Sequence, residues 1–162
     1  MSKLFLLLGG NLGNKKQVFS NALEMIENRI GIITGKSAVY ETEPWGFESD
    51  NLFWNQVVLA ETGLKPLDVL DEAQAIEKAL GRVHQSKQYV SRLIDLDLLF
   101  YDELIQRSQR LELPHPRIAE RRFVLEPLAE IAADFIHPVL KKPIAGLLAE
   151  CTDQLYVNKT EK

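Results

Sequence analysis

Two aspartates separated by one residue, Asp95 and Asp97, have the clearest chemical meaning in this sequence. They interrupt an apolar segment, residues 93–101, whose composition predicts a β-strand. Because side chains alternate along a strand, both carboxylates face one side of a sheet, with Cα atoms roughly 6.5 Å apart. Two such carboxylates repel each other unless a cation lies between them, and Mg²⁺ prefers one or two carboxylates together with waters and phosphate oxygens. A solvent-exposed polar strand face is the competing interpretation. The apolar flanks indicate a central, partly buried strand and favour a magnesium–nucleotide site.

Basic residues occur on both sides of this strand. Arg82 and Arg92 bracket a polar loop before it, and guanidinium groups bind phosphate oxygens in a bidentate way. We therefore expect these two arginines to contact phosphate. His84 and His115 lack the spacing of a zinc site. Surface charge without a chemical role is expected for Lys87, Arg107 and Arg122.

The remaining polar and aromatic patterns are weaker. The glycine-rich turn over residues 9–14 matches neither common phosphate-binding loop, and a tight turn beside a pocket is the favoured interpretation. Aromatic residues over 45–47 and 53–54 serve either the core or a flat heterocycle. No serine motif is present and Cys151 is remote in sequence, so nucleophilic catalysis has little support.

Hydrophobic periodicity predicts the elements that position these residues. Pro66 suits the first turn of a helix, and Gly31 and Gly81 suit helix ends. The order is β-α-β-β-α-β, which predicts an α+β, ferredoxin-like βαββαβ two-layer sandwich with extra C-terminal short helices. The predicted strands cover residues 3–8, 32–43, 53–62 and 93–101, the predicted helices 14–30, 66–80, 126–133 and 143–150, and a polar loop 81–92.

Composition excludes several classes of protein. The chain has 162 residues, of which 46% are hydrophobic and 26% charged, so we expect one globular domain over residues 1–162. Its formal net charge of −4 argues against a nucleic-acid binder. The apolar run at residues 4–8 is too short for a membrane span and lacks a cleavage site, so neither a membrane segment nor a signal peptide is expected. A single cysteine fits a reducing compartment, and we expect a cytoplasmic monomer.

Several motifs together resemble the 6-hydroxymethyl-7,8-dihydropterin pyrophosphokinase family over nearly the whole chain. The most specific is Arg92-Leu93-Ile94-Asp95-Leu96-Asp97-Leu98, which is similar to the family's R-T-[IL]-D-[IL]-D-[IL] signature. Supporting matches are Gly9-x-Asn11-Leu12-Gly13, Tyr40-x-Thr42-x-Pro44, Asn55, Gln74-x-x-Glu77, Gly81-Arg82, Leu113-Pro114-His115-Pro116 and Arg121-x-Phe123.

The resemblance implies transfer of diphosphate from ATP to the hydroxymethyl oxygen of the pterin, with attack on the β-phosphorus and release of AMP, in folate biosynthesis. It implies that Asp95 and Asp97 bind two Mg²⁺ ions that bridge the ATP phosphates. It also implies that Arg82 and Arg92 are catalytic. The implied ATP-binding residues are Gln74, Glu77, Arg82, His84, Arg92, Leu98, Arg110, His115 and Arg121. The implied pterin-binding residues are Thr42, Pro44, Trp45, Phe53, Asn55, Asp95 and Phe123, with Phe53 and Phe123 stacking on the ring.

The sequence also departs from the family pattern. Gly10 stands where serine is frequent, His84 where arginine is common, and Phe53 where tyrosine is frequent. The family often has Trp-Gly-Pro before the signature arginine, and this chain has Tyr89-Val90-Ser91.

Two other functions compete with this interpretation. A ligand-binding regulatory module would not need both aspartates. A metal-dependent nuclease or nucleotidyl transferase would use them but would bind nucleic acid in a strongly salt-dependent way.

Overall fold

The computed structural model describes residues 1–42, 52–86 and 89–160, and for 82–92 the description is limited to the backbone. The helices are α1 (Lys15–Arg29), α2 (Pro66–Leu80), α3 (Arg122–Ala132) and α4 (Ile144–Glu150), with a 3₁₀ turn at Ile118–Glu120. The strands are β1 (Ser2–Gly10), β2 (Ile32–Lys36), β3 (Tyr40–Thr42), β4 (Phe53–Thr62), β5 (Arg82–Ser86), β6 (Tyr89–Arg92), β7 (Asp95–Tyr101), β8 (Gln106–Arg107), β9 (Glu112–Leu113) and β10 (Val157–Lys159).

The main sheet is antiparallel, with strand order β10-β3-β4-β1-β7, and β2 also pairs with β4. Strands β1 and β4 are adjacent at the centre, and α1 and α2 connect strands in the βαββαβ order. The predicted α+β, ferredoxin-like fold is confirmed. A central strand was expected to carry Asp95 and Asp97, and this expectation is wrong, because β7 ends the described sheet.

A hydrophobic core fills the space between one face of the sheet and helices α1 and α2. Leu4, Leu6 and Leu8 of β1 enter it together with Leu96 and Leu98 of β7. These residues alternate along their strands, as the period of two requires. The face of β7 opposite Asp95 and Asp97 therefore anchors the strand.

The second face of the sheet is covered by the C-terminal helices. Phe5 and Leu7 of β1 pack there with Leu99 of β7 and with apolar residues of α3 and α4. The short helices expected at the C-terminus thus form a further layer. The helices cover only part of this face. Asp95 and Asp97, which lie on the same face of β7 as Leu99, therefore line a cavity beside them.

The helix boundaries follow from local chemistry. The side chain of Asn14 accepts a hydrogen bond from Gln17 N at 3.2 Å and caps α1. Pro66 opens α2, and Gly81 follows it with φ +99°. Gly31 does not have the left-handed conformation expected of a closing glycine. It is needed because a Cβ there would lie 2.2 Å from the carbonyl oxygen of Glu61.

The structure differs from the predicted elements in several places. The strand predicted over 32–43 is divided into β2 and β3, and the short strands β8 and β9 were not predicted. The polar loop predicted over 81–92 contains the hairpin β5–β6, in which Arg82 pairs with Arg92. Helix α3 begins at Arg122, four residues before the predicted start. The C-terminal strand β10, which extends the sheet beyond β3, was not predicted. In the part of the chain that the structure describes, no helix has the length and apolar character needed to cross a membrane.

Candidate active site

A cavity of about 260 Å³ opens on the sheet face that α3 leaves uncovered. Strands β1, β3, β4 and β7 form its floor, and the start of α3 and the C-terminal segment form its walls. The cavity is lined by Leu7, Gly9, Thr42, Phe53, Asn55, Asp95, Asp97, Arg121, Phe123 and Leu155.

Both aspartates of the signature lie on this cavity, as the alternation of strand side chains predicts. In the register of the sheet, Asp97 is opposite Leu7 and Asp95 is opposite Gly9. Asp97 is half-buried, whereas Asp95 is exposed at the end of the strand. The pair therefore places two carboxylates at one end of the cavity floor, and the carboxylate of Asp95 is open to solvent.

A polar contact forms the opposite end of the floor. The Nδ2 of Asn55 donates to the Oγ1 of Thr42 over a long 3.5 Å, and each residue is only 5% exposed. A Cβ at Gly9 would lie 3.3 Å from the Oδ1 of Asn55, so glycine leaves that oxygen accessible. Because a carboxamide has two donors and an acceptor, Asn55 retains capacity to bind the polar edge of a ligand.

Aromatic rings flank this polar contact. Phe53 and Phe123 line the cavity from β4 and from the start of α3. Trp54 points to the other face of the sheet, where its ring packs 5.6 Å from that of Phe19. Of the two adjacent aromatics on β4, one therefore faces the cavity and the other belongs to the core.

Arg121 connects the aromatic and acidic parts of the cavity. Its guanidinium carbon lies 5.6 Å from the ring centre of Phe123, in a cation–π arrangement. It also contributes to the electrostatic environment of His115, which lies just outside the lining. Arg121 is thus placed to bind an anionic group that lies between the aromatic end and the acidic end of the cavity.

His115 is held as a neutral hydrogen-bond donor. Its Nδ1 accepts from Arg117 N at 3.2 Å, which leaves the proton of the neutral ring on Nε2. Burial lowers the pKa of His115 from its usual 6.5, Arg121 and Arg117 lower it further, and Asp97 opposes the shift. The ring is therefore neutral near pH 7.

Besides His115, four described residues implied on the nucleotide side do not line the cavity. Gln74 is exposed on α2, whereas Glu77 is buried and its Oε2 accepts from Leu96 N at 2.8 Å. The side chain of Leu98 lies in the core against α1 and α2. Arg110 pairs with Asp71 of α2 at 2.6 Å, and both side chains are more than half exposed.

The remaining predicted site residues lie partly or wholly outside the described structure. Pro44 and Trp45 fall outside the described residues. Arg82, His84 and Arg92 are described by backbone only, and the hairpin register brings Arg82 and Arg92 opposite each other at its base.

The contribution of the C-terminal segment was not predicted from the sequence. Leu155 lines the cavity, although its position in the chain carries no motif. Arg122 anchors this segment by donating from Nε to the carbonyl oxygen of Asp153 at 3.0 Å and from Nη2 to that of Cys151 at 3.0 Å. Arg122 was expected to be a surface charge without a role, and this expectation is wrong. The aromatic and β-branched pair Tyr156-Val157 was the available signal for a strand.

Two carboxylates suit a cation whose other ligands come from a substrate. Within the described ranges, no group of three or more His, Cys, Asp or Glu side chains is placed to bind a metal ion. A cation held by the two aspartates would therefore need its remaining ligands from water or a substrate.

Comparison with solved structures supports the fold. A crystal structure of Plasmodium falciparum HPPK-DHPS wild type with pteroate superposes with a TM-score of 0.76 at 17% identity, over 92% of this chain and 44% of that chain. A second, with SDX-DHP, has a TM-score of 0.74 at 18% identity, over 93% of this chain and 43% of that chain. The chain therefore spans less than half of these solved chains.

Sequence relatives are closer. A 2-amino-4-hydroxy-6-hydroxymethyldihydropteridine pyrophosphokinase of Porphyromonas gingivalis is 44% identical over 146 residues, which cover 88% of this chain and 99% of that protein. A protein of the same name from Aquifex aeolicus is 36% identical over 94% of each chain. Residues 5–133 match the family description 7,8-dihydro-6-hydroxymethylpterin-pyrophosphokinase (HPPK). The chain therefore belongs to the 7,8-dihydro-6-hydroxymethylpterin-pyrophosphokinase family.

Proposed function

We propose that this chain transfers diphosphate from ATP to the hydroxymethyl oxygen of 6-hydroxymethyl-7,8-dihydropterin and releases AMP, as a step of folate biosynthesis. The observation that carries the proposal is a single cavity with an aromatic and amide end and an acidic end on one sheet face. A flat polar heterocycle suits the first end, and metal-bound phosphates suit the second.

The pterin occupies the aromatic end. Phe53 and Phe123 stack on its ring, and Asn55 and Thr42 hydrogen-bond to its polar edge. We also assign Asp95, which lines the same cavity, to the hydroxymethyl arm of the pterin. The family resemblance also assigns Pro44 and Trp45 to pterin binding, and we include them in the proposal.

ATP lies across the outer edge of β7. Neutral His115 donates from Nε2 to a phosphate oxygen, and Arg121 and Arg110 supply positive charge. Arg110 can exchange Asp71 for phosphate at small cost, because an exposed ion pair is worth about 0–1 kcal/mol. Leu98 contributes through its main chain, since its side chain is buried in the core. Gln74 contacts the nucleotide from α2.

The hairpin β5–β6 carries two arginines that we propose act in the transfer step, after both substrates have bound. The strand register places the backbones of Arg82 and Arg92 opposite each other at its base, and we assign these arginines to the charge that develops on the transferred diphosphate. His84 lies on the same strand as Arg82 and takes a lesser nucleotide contact. Closure of the hairpin over both substrates would exclude water from the reacting groups.

Asp95 and Asp97 would hold two Mg²⁺ ions against the ATP phosphates. When bound, the ions neutralise phosphate charge and orient the chain of phosphates. The two aspartates hold one side of this assembly, and the arginines and His115 hold the other. The residues thus set the hydroxymethyl oxygen in line with the β-phosphorus.

The transfer then needs little covalent chemistry from the protein, since positioning and charge stabilisation dominate phosphoryl-type reactions. The pterin oxygen forms a bond to the β-phosphorus while the bond between that phosphorus and the bridging oxygen of AMP breaks. The hydroxyl proton is released to solvent.

Nucleotide analysis of the products tests the proposal. With magnesium, ATP and 6-hydroxymethyl-7,8-dihydropterin, the protein should form AMP and a pterin diphosphate ester in equal amounts. ADP as the main product would show attack on the γ-phosphorus and refute diphosphate transfer. An absence of pterin-dependent turnover would instead favour a binding module, and salt-sensitive binding of nucleic acid would favour a nuclease.

We also propose that the enzyme acts as a cytoplasmic monomer. The single cysteine, Cys151, is consistent with a reducing compartment. Analytical ultracentrifugation at assay concentrations would test the oligomeric state, and a sedimenting dimer would refute it.

A further inference from the structure

The outer edge of β7 depends on partners other than a neighbouring strand. Within the described residues, β7 pairs only with β1, so the main-chain groups on its other edge need separate hydrogen bonds. Two contacts provide them on either side of Asp97. Leu96 N donates to the Oε2 of Glu77 at 2.8 Å, and Leu99 O accepts from His115 N at 3.0 Å.

Helix α2, which carries Glu77, lies on the far side of the sheet from the acidic pair. Helix α2 packs on the core face of β7 through Ala73 and Ile76, whereas Asp95 and Asp97 line the cavity on the opposite face. Glu77 is 6% exposed and does not line that cavity. The hydrogen bond to Leu96 N therefore gives Glu77 a route to the aspartates through the main chain.

We propose that Glu77 is a positioning residue that fixes the peptide units between Asp95 and Asp97 and thereby sets the direction of both carboxylates. This role differs from the direct ATP contact that the family resemblance implied. It rests on the proposed function, because the spacing of the carboxylates matters only if they share cations and phosphates.

The physical case follows from the position of Leu96. This residue is flanked by the two aspartates, so rotation of either adjoining peptide plane changes the direction of one Cα–Cβ bond. Two like charges at this spacing repel each other, which favours such a rotation. A hydrogen bond from a main-chain amide to a carboxylate is shorter and stronger than a neutral one, and burial strengthens it. Glu77 thus opposes the rotation at the point where it would begin.

Three variants separate positioning from other roles. Glu77→Gln keeps an acceptor for Leu96 N, Glu77→Met removes it at similar size, and Glu72→Met is a control on the same helix. The side chain of Glu72 pairs with Arg29 at 3.6 Å. Each variant is examined by thermal melting, amide hydrogen exchange at Leu96, and AMP formation titrated with magnesium.

Glu77→Gln should keep the Leu96 amide protected and retain kcat within about tenfold of wild type, because a neutral hydrogen bond has roughly half the strength of a charged one. Glu77→Met should expose the amide to exchange and lower kcat on the order of 10²-fold, the effect expected of a ~1 Å misplacement. Its half-maximal magnesium concentration should rise while the KM for the pterin stays unchanged. Glu72→Met should match wild type in all three measurements.

Three results would overturn the proposal. Unchanged Leu96 exchange and magnesium dependence in Glu77→Met would show that the contact fixes nothing. Equal loss of kcat in Glu77→Gln and Glu77→Met would show that the charge itself acts on the substrates. If the methionine variant does not fold, Glu77→Gln alone decides, because a protected Leu96 amide together with a loss of kcat far above tenfold would overturn the proposal. If wild type releases no AMP, the proposed function fails, whereas the exchange comparison still tests the contact.

Discussion

Gly10 provides the sharpest test of how tightly this site is built. The last residue of β1, it is buried where the chain passes the segment that leads into β7. A Cβ at this position would lie 2.5 Å from the carbonyl oxygen of Leu93 and 3.5 Å from the Cα of Ile94. Both close atoms belong to the main chain, so no side-chain rotation can relieve the contact. We predict that Gly10→Ala lowers both stability and turnover.

The magnitude follows from the separation that the new methyl group requires. Non-bonded heavy atoms pack at about 3.5 Å, so the two backbones must move apart by roughly 1 Å. Such overpacking typically costs about 1–3 kcal/mol. For a chain of this size, each kcal/mol shifts the melting temperature by about 2–4 °C, which gives a loss of about 2–12 °C. Because Leu93 lies between Arg92 and Asp95, the same displacement should lower kcat on the order of 10²-fold.

Differential scanning calorimetry and AMP release would be measured on Gly10→Ala, Gly10→Ser and Gly63→Ala. Gly63 is the matched control, because a Cβ there would meet no atom within 4 Å. The Gly63→Ala variant should melt at or slightly above the wild-type temperature, since alanine reduces the conformational entropy of the unfolded chain, an effect worth about 0.4–1 kcal/mol. The serine variant should resemble the alanine variant, although serine is frequent at this position in the family pattern. Wild-type melting and turnover in Gly10→Ala would refute the packing argument, and lost stability with full turnover would refute the link to the site.

Three other predictions concern the site and its pH dependence. Asp95→Asn and Asp97→Asn should each lower turnover about 10²–10³-fold while the melting temperature holds, and near-normal rates at ordinary magnesium would exclude these residues as ligands. Phe123→Ala should weaken pterin binding by at least roughly 2- to 13-fold in titrations with a non-reactive ATP analogue, and should leave nucleotide binding intact. If Phe123→Ala binds the pterin as tightly as wild type does, Phe123 is not a stacking surface. Burial lowers the pKa of both His115 and His137, so the unfolded chain binds more protons and the free energy of unfolding should fall as the pH drops below about 6.5. Melting curves recorded with His137→Asn, which keeps an acceptor for the turn amides, should show a weaker decline, and an unchanged decline would contradict this account.

Local chemistry was sufficient for much of the fold. Strand β4 and helix α2 have the predicted limits, because each combines a clear hydrophobic period with a strong boundary residue such as Pro66. The alternation of side chains placed Asp95 and Asp97 on one face, and the structure confirms it. Such features depend on residues close in sequence, which is why a single chain reveals them.

Other features depend on contacts between distant segments. Arg122 seemed to be a surface charge until the fold brought the carbonyl oxygens of Asp153 and Cys151 to its guanidinium. Leu155 reaches the cavity for the same reason, since it follows the anchored segment. No local pattern encodes a hydrogen bond between residues about thirty positions apart.

The sequence by itself therefore determined the type and order of the central elements, and the face on which the acidic pair lies. Only the tertiary structure decided that β7 ends the described sheet, that its edge is held by Glu77, and that Gly10 is needed because two backbones meet there. The physical reason is the range of the interactions. Periodicity and capping act within a few residues, whereas edge pairing, close backbone approach and cavity shape arise only when remote segments pack together.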